Sequence, residues 1–104
     1  EGILSIGVDS NQNHLHPGKV LTSMTKRVDN AVYNAFNDGE AMTAGLTVMD
    51  LKADGVGYAM DDNNAALVTD EMKAKVEEAA AKIKSGELKV HDYMSDNTCP
   101  AATF

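Results

Sequence analysis

The chain has 104 residues, enough for one domain or less, and 16 acidic against 9 basic side chains give it a formal net charge of -7. Because no basic stretch offsets this excess of acid, nucleic acid is not expected as a partner. No run approaches the roughly 18 apolar residues that span a bilayer. The single cysteine, Cys99, excludes an internal disulfide and a cysteine-based metal site.

The first element is the apolar run from Gly2 to Val8, which ends directly in the carboxylate of Asp9. Its Ile and Val residues predict a strand that is buried on both faces, as in a parallel α/β sheet. Open α/β sheets bind ligands beyond the carboxyl ends of their strands, so Asp9 is a candidate ligand contact. The alternative is that Asp9 only begins the polar turn that follows, and spacing alone does not decide between the two.

A polar segment rich in turn-forming residues, 11–18, leads to a second predicted strand, Lys19–Met24. His14 and His16 lie two residues apart and would share one side of an extended segment. Two ligands do not make a metal site, so ordinary loop histidines and no bound metal are expected.

The periodicity of apolar residues predicts a helix over Arg27–Asp38 that ends at Gly39. The junction before it places Lys26 where it could donate to ligand oxygens. The competing interpretation is that Ser23 or Thr25 caps the helix while Lys26 stays solvated.

Two apolar segments, 46–51 and 56–60, flank the pair Asp54-Gly55, a pattern that predicts a hairpin. The cluster 61–64 lacks the Gly and Glu of a calcium loop and is interpreted as a turn. The clearest helix covers Thr69–Ser85, with Thr69 as its cap and Gly86 after its end.

This element order leaves the predicted fold incomplete. The first two strands are joined by about nine residues without a helix, whereas a parallel connection usually needs a dozen or more residues. If both strands belong to a parallel sheet, further strands must come from outside this chain.

Four segments, in order and at matching spacings, resemble one known family, the basic membrane protein (BMP) family of purine-nucleoside-receptor lipoproteins that serve ABC transporters. The resemblance covers about residues 3–93, and its motifs are Ile6-Gly-Val-Asp-Ser-Asn-Gln12, Val20-Leu-Thr-Ser-Met-Thr-Lys-Arg-Val-Asp29, Leu51-Lys-Ala-Asp-Gly-Val-Gly-Tyr-Ala59 and Met72-Lys-Ala-Lys-Val-Glu-Glu-Ala79 with Ile83-Lys-Ser-Gly-Glu-Leu-Lys-Val90.

The resemblance implies an α/β chain that is part of a type I periplasmic-binding-protein fold, in which two lobes close on a ligand. Residues 1–93 would form the carboxyl-terminal part of the two-lobed domain, and 94–104 a flexible tail. Asp9 would approach the ribose hydroxyls of a nucleoside, and Lys26 would line the same pocket. The expected protein is an extracytoplasmic, lipid-anchored, non-enzymatic receptor that delivers ligand to an ABC permease and needs no cofactor.

The sequence departs from the family pattern at Asn11, where a second acid is usual, so a role for this position does not carry over. Three alternatives remain open: a receptor of the same fold for a free sugar or another small polar ligand, a protein-interaction domain, and a hydrolase or phosphatase with Asp9 as nucleophile. The enzyme would need a second acid near Asp9. Since the missing strands would leave apolar faces uncovered, the chain alone is expected to self-associate.

Overall fold

The computed structural model describes residues 2–98 and has a mixed α/β architecture around one three-stranded sheet. The elements are, in chain order, β1 (Ser5–Asp9), β2 (Val20–Lys26), α1 (Val28–Asp38), β3 (Val56–Tyr58) and α2 (Asp70–Ser85). β2 lies in the middle of the sheet, parallel to β1 and antiparallel to β3. The predicted α/β class, with parallel strands and two main helices, is confirmed.

The parallel pair β1 and β2 forms although its connection contains only a short 3-10 turn, Asn13–Leu15. At the start of the pair, the Ser5 amide donates to the Lys19 carbonyl at 3.0 Å. Further along, the strands approach closely at Gly7, where a Cβ atom would lie 2.6 Å from the Ser23 hydroxyl oxygen. Glycine is therefore required at position 7 for this register to form.

The predicted hairpin is wrong in its pairing. β3 pairs with β2, with Thr25 opposite Gly57, and residues 46–51 do not form a strand. The tight turn itself is present: Asp54 has a positive φ of 55° and the Gly55 amide donates to the Asp50 carbonyl at 2.9 Å. An Asp-Gly pair thus reports the local turn, but the partner of the following strand is set by the free edge of β2.

Both helices lie within one residue of their predicted bounds, but the proposed cap of α1 is wrong. β2 continues to Lys26, so Ser23 and Thr25 lie in the strand, and Arg27 precedes α1 without a side-chain cap. For α2 the predicted cap is confirmed, since the Thr69 hydroxyl accepts from the Met72 amide at 3.2 Å. α2 ends at Gly86, which adopts the left-handed conformation.

The apolar core of residues 2–98 is very small, with only Val20 and Ala59 fully buried among the hydrophobic residues. β1 was predicted to be buried on both faces, yet all of its residues except the half-buried Gly7 are exposed. The prediction fails here because neither helix packs closely over this strand, and it lies at the edge of the sheet. Burial of the apolar side chains of β1 would require packing against further residues, which the described part of the chain does not provide.

The expected tail begins at residue 94, and the structure describes its first residues as a turn in which the Ser95 and Asp96 amides donate to the Asp92 carbonyl at 3.1 Å. Cys99, the single cysteine of the chain, lies outside the described residues. Neither helix within residues 2–98 combines the length and apolar character needed to cross a bilayer.

Candidate functional site

The carboxyl ends of β1 and β2 bring the two predicted site residues together. Asp9 is the last residue of β1, and the parallel register sets it opposite Thr25, next to Lys26 at the end of β2. The Lys26 Nζ atom lies 2.7 Å from Asp9 Oδ1. A carboxylate and an ammonium therefore stand side by side at the sheet edge where open α/β folds bind ligands.

The backbone of Asp9 is unusual, because its φ of 76° lies in the left-handed region. Non-glycine residues rarely adopt this conformation, and Asp and Asn tolerate it best. Strained conformations of this kind are concentrated at functional sites, where the surrounding structure holds them in place. The conformation coincides with the end of β1, where the Asp9 side chain is 68% exposed.

The ion pair is open to solvent, with 58% of the Lys26 side chain and 68% of the Asp9 side chain exposed. Exposed pairs of this kind stabilise a protein by about 0 to 1 kcal/mol. The pair is thus a weak interaction that a ligand can rearrange without a large loss of stability. The Asp9 carboxylate accepts hydrogen bonds and the Lys26 ammonium donates them, so a ligand can form both kinds of bond at this site.

A second cluster, missed by the sequence reasoning, includes Asn11, which lies two residues after Asp9. The Asp61 Oδ2 atom accepts from Asn11 Nδ2 at 2.7 Å and from Asn13 Nδ2 at 3.2 Å. Its other carboxylate oxygen accepts from the Asn63 amide at 2.8 Å. Since 50 residues separate Asn11 from Asp61, no local pattern indicated this contact.

Buried polar side chains connect this cluster to β2. Asn13, Ser23 and Asn64 are fully buried. The Ser23 hydroxyl donates to Asn13 Oδ1 at 2.8 Å, and Asn64 Nδ2 donates to the Leu21 carbonyl at 2.9 Å. Every buried side-chain polar atom of the described residues has a partner, so the network is complete and fixes both loops on the central strand.

The hydrogen bonds to Asp61 lower the pKa of its carboxyl, with the Asn11 amide as the largest cause and partial burial opposing it. Since the native state then binds the proton less tightly than the unfolded chain, these bonds stabilise the fold above about pH 4. This stabilisation is lost as the pH falls through the lowered pKa of the native state.

The free energy of unfolding of the intact wild-type protein should exceed that of Asp61→Asn, and we expect this difference to shrink when the pH falls from about 6 to 3. Denaturant unfolding at each pH measures it. Asp62→Asn, which removes the neighbouring exposed carboxylate, serves as the control for the loss of one negative charge. A difference for Asp61→Asn that is constant over the whole range would contradict this explanation.

Residues next to Lys26 hold α1 against the turn that precedes β3. The Arg27 guanidinium donates to Asp29 Oδ1 at 3.2 Å and lies 3.8 Å from Asp54 Oδ2, while the Arg27 amide donates to the Gly55 carbonyl at 2.8 Å. The contact with Arg27 lowers the pKa of the Asp29 carboxyl. These bonds keep the backbone of Lys26 in place, because they fix the residue that follows it.

Within residues 2–98, no three His, Cys, Asp or Glu side chains come together in a group that could hold a metal. His14 and His16 are both exposed. At the sheet edge, Asp9 offers hydrogen-bond acceptors and Lys26 offers donors.

Comparison with known proteins bears on what this edge binds. The profile of the family described as "ABC transporter substrate-binding protein PnrA-like" matches residues 1–93. The match includes both Asp9 and Lys26 and ends before the predicted tail. Among curated proteins, none matches the sequence significantly.

Proposed function

The chain belongs to the family of PnrA-like ABC transporter substrate-binding proteins, and from this premise we propose that it forms part of a receptor for purine nucleosides. Members of this family act outside the cytoplasm. The observation that carries the proposal is the Asp9–Lys26 pair at the carboxyl ends of two parallel strands, at 2.7 Å. It supplies a charged acceptor and a charged donor at the edge where ligands of open α/β sheets bind.

The vicinal hydroxyls of ribose match this arrangement. A single carboxylate accepts hydrogen bonds from both hydroxyls of a diol, and bonds to a charged partner contribute about 1.5 to 3 kcal/mol. In the proposed complex, Asp9 turns from Lys26 toward the diol, and Lys26 donates to a ligand oxygen. Removal of one hydroxyl would leave an oxygen of Asp9 unpaired, which gives selectivity for ribose.

The exposure of the Asp9–Lys26 pair is that of one side of a binding site whose other side is absent from the described residues. Both side chains are more than half exposed, whereas ligand pockets bury most of the surface of their ligand. In the proposal, a second lobe from the remainder of a larger protein covers the nucleoside and contacts its base. Closure of the lobes excludes water and presents the loaded receptor to its permease, and a lipid anchor holds the receptor at the membrane. No covalent chemistry is needed, so the receptor is not an enzyme.

A ligand screen on the intact receptor tests the proposal. Thermal unfolding is measured with adenosine, guanosine, inosine and ribose, each far above the expected dissociation constant, since a bound ligand raises the unfolding temperature by mass action. The proposal predicts a rise with at least one nucleoside and little with ribose. A rise with ribose alone would identify a sugar receptor, and no rise with any of the four would favour a protein-interaction domain.

A further inference from the structure

The loop after β1 begins directly after Asp9, and contacts with β1 and β2 fix its position. The Gln12 side-chain amide donates to the Val8 carbonyl at 2.6 Å, immediately before Asp9. The Gln12 backbone amide donates to the Ser23 hydroxyl at 3.0 Å. These two bonds hold the loop against its own strand and against β2, but neither reaches the residues directly after Asp9.

Asn11 lies two residues beyond Asp9, and both ends of its side-chain amide are held. Its Nδ2 donates to Asp61 at 2.7 Å, and its Oδ1 accepts from the Asn13 backbone amide at 3.0 Å. Asp61 is thus the only charged group among the described residues that bonds to this side chain. Because Asp9 is exposed and, within residues 2–98, pairs its charge with Lys26 alone, the direction of its carboxylate depends on the backbone that Asn11 fixes.

We infer that Asp61 is a positioning residue for ligand binding: it holds the loop through Asn11 and Asn13 so that Asp9 keeps its direction toward the ligand. A carboxylate suits this role, since an ionised Asp accepts at both oxygens and both asparagine amides face it as donors. The anchor is rigid because Asn13 and its partner Ser23 are fully buried. The inference rests on the proposed function, since it presupposes that Asp9 contacts the ligand.

The replacement Asp61→Asn is nearly isosteric but removes one acceptor oxygen. Its NH2 group would face either the amides of Asn11 and Asn13 or the backbone amide of Asn63, so in both orientations at least one donor loses its acceptor. We expect the loop to shift and ribonucleoside affinity to fall by about tenfold, since a misplacement of about 1 Å can cost up to about 100-fold where a site has strict geometry. Asp62→Asn is the matched control and should leave affinity unchanged.

The decisive experiment is a double-mutant cycle in the intact receptor, with inosine affinity measured by calorimetry well below the unfolding temperature of every variant. Asp61→Asn should weaken binding in the wild-type background and add little in the Asp9→Asn background, because the carboxylate that it positions is then absent. Asn11→Ala removes the hydrogen bond between Asn11 and Asp61 and leaves Asp61 in place. It should weaken inosine binding in the wild-type background and add little in the Asp9→Asn background, and it replaces Asp61→Asn if that variant does not fold.

Four results would overturn the inference. Equal losses from Asp61→Asn in both backgrounds would mean that it acts independently of Asp9. A lower unfolding temperature with unchanged affinity would mean that Asp61 has a structural role alone. If Asp9→Asn itself leaves inosine affinity unchanged, the proposed site is wrong and the inference fails with it. If Asp9→Asn lowers inosine affinity but Asp61→Asn and Asn11→Ala do not, only the positioning role is refuted.

Discussion

Replacement of Asp9 by Asn in the intact receptor is expected to weaken ribonucleoside binding by about 10- to 150-fold, the equivalent of one charge-assisted contact of about 1.5 to 3 kcal/mol. Asn has the same shape and also tolerates the left-handed conformation that Asp9 adopts with a φ of 76°. The loss would therefore come from the charge and from one acceptor oxygen, not from a change of the backbone. Titration calorimetry measures the affinity directly.

The control for this experiment is Asp38→Asn, which removes the same unit of charge from an exposed position at the end of α1. It should bind ribonucleosides like the wild type. The unfolding temperature of Asp9→Asn should also stay close to that of the wild type, because the lost ion pair is exposed. Unchanged affinity of Asp9→Asn would remove Asp9 from the site and leave the family and the fold as they stand.

The second large effect concerns the 104-residue chain by itself, which is expected to associate at micromolar concentration. Its accessible surface is 8427 Å², whereas a folded monomer of this mass exposes about 5,700 Å². Its radius of gyration of 16.5 Å also exceeds the roughly 13 Å of a compact domain of this length. The surplus of about 2,700 Å² is larger than a standard protein interface of about 1,600 Å².

Exposed apolar side chains make up much of this surface. Phe36 is 87% exposed on α1, and Ile6 on β1 is 61% exposed. β1 is also an edge strand with an unpaired side, which favours pairing with another copy. We infer that the two helices and the sheet require cover, either from other parts of a larger protein or from further copies of this chain.

Light scattering coupled to gel filtration tests the expected association. The average mass should exceed the 11.1 kDa of one chain and fall on dilution. Phe36→Glu, which places a charge on the exposed face of α1, should lower the mass at equal concentration, whereas the conservative Phe36→Leu should not. A monomer mass across the micromolar range would show that the chain covers these faces by itself.

The parts of the structure that the sequence predicted well are those encoded locally. α2 has its cap at Thr69, its left-handed residue at Gly86 and the i, i+4 ion pair between Lys82 and Glu78 at 2.6 Å. All of these lie within a few residues of the helix they define, so their contributions can be read along the chain. The bounds of α1 follow from similar local signals, whereas β2 continues two residues beyond its predicted end, to Lys26.

The parts that failed depend on residues far apart in sequence. The strand Val56–Tyr58 had a clear turn before it, but its partner is β2, about 30 residues earlier, and strand pairing follows from packing across the sheet. The predicted burial of β1 was wrong, because an apolar composition shows that a strand is suited to burial but does not show which residues pack against it. The Asn11–Asp61 contact spans 50 residues and carries no periodic signal.

The candidate site lies between these two cases. The family resemblance singled out Asp9 and Lys26 as residues of one pocket, whereas the short connection between the first two strands argued against their direct parallel pairing. The structure pairs these strands and places the two side chains 2.7 Å apart. The left-handed backbone of Asp9 and the anchor at Asp61 required the structure.

The central claim is that the Asp9 carboxylate recognises the ribose diol. Its most direct test compares the affinities of the intact receptor for inosine and for 2′-deoxyinosine, measured by calorimetry under identical conditions. Loss of one hydroxyl should weaken binding at least about tenfold, because Asp9 then keeps an unpaired oxygen in the closed site. Equal affinity for the two nucleosides would contradict the assignment of Asp9 to the ribose.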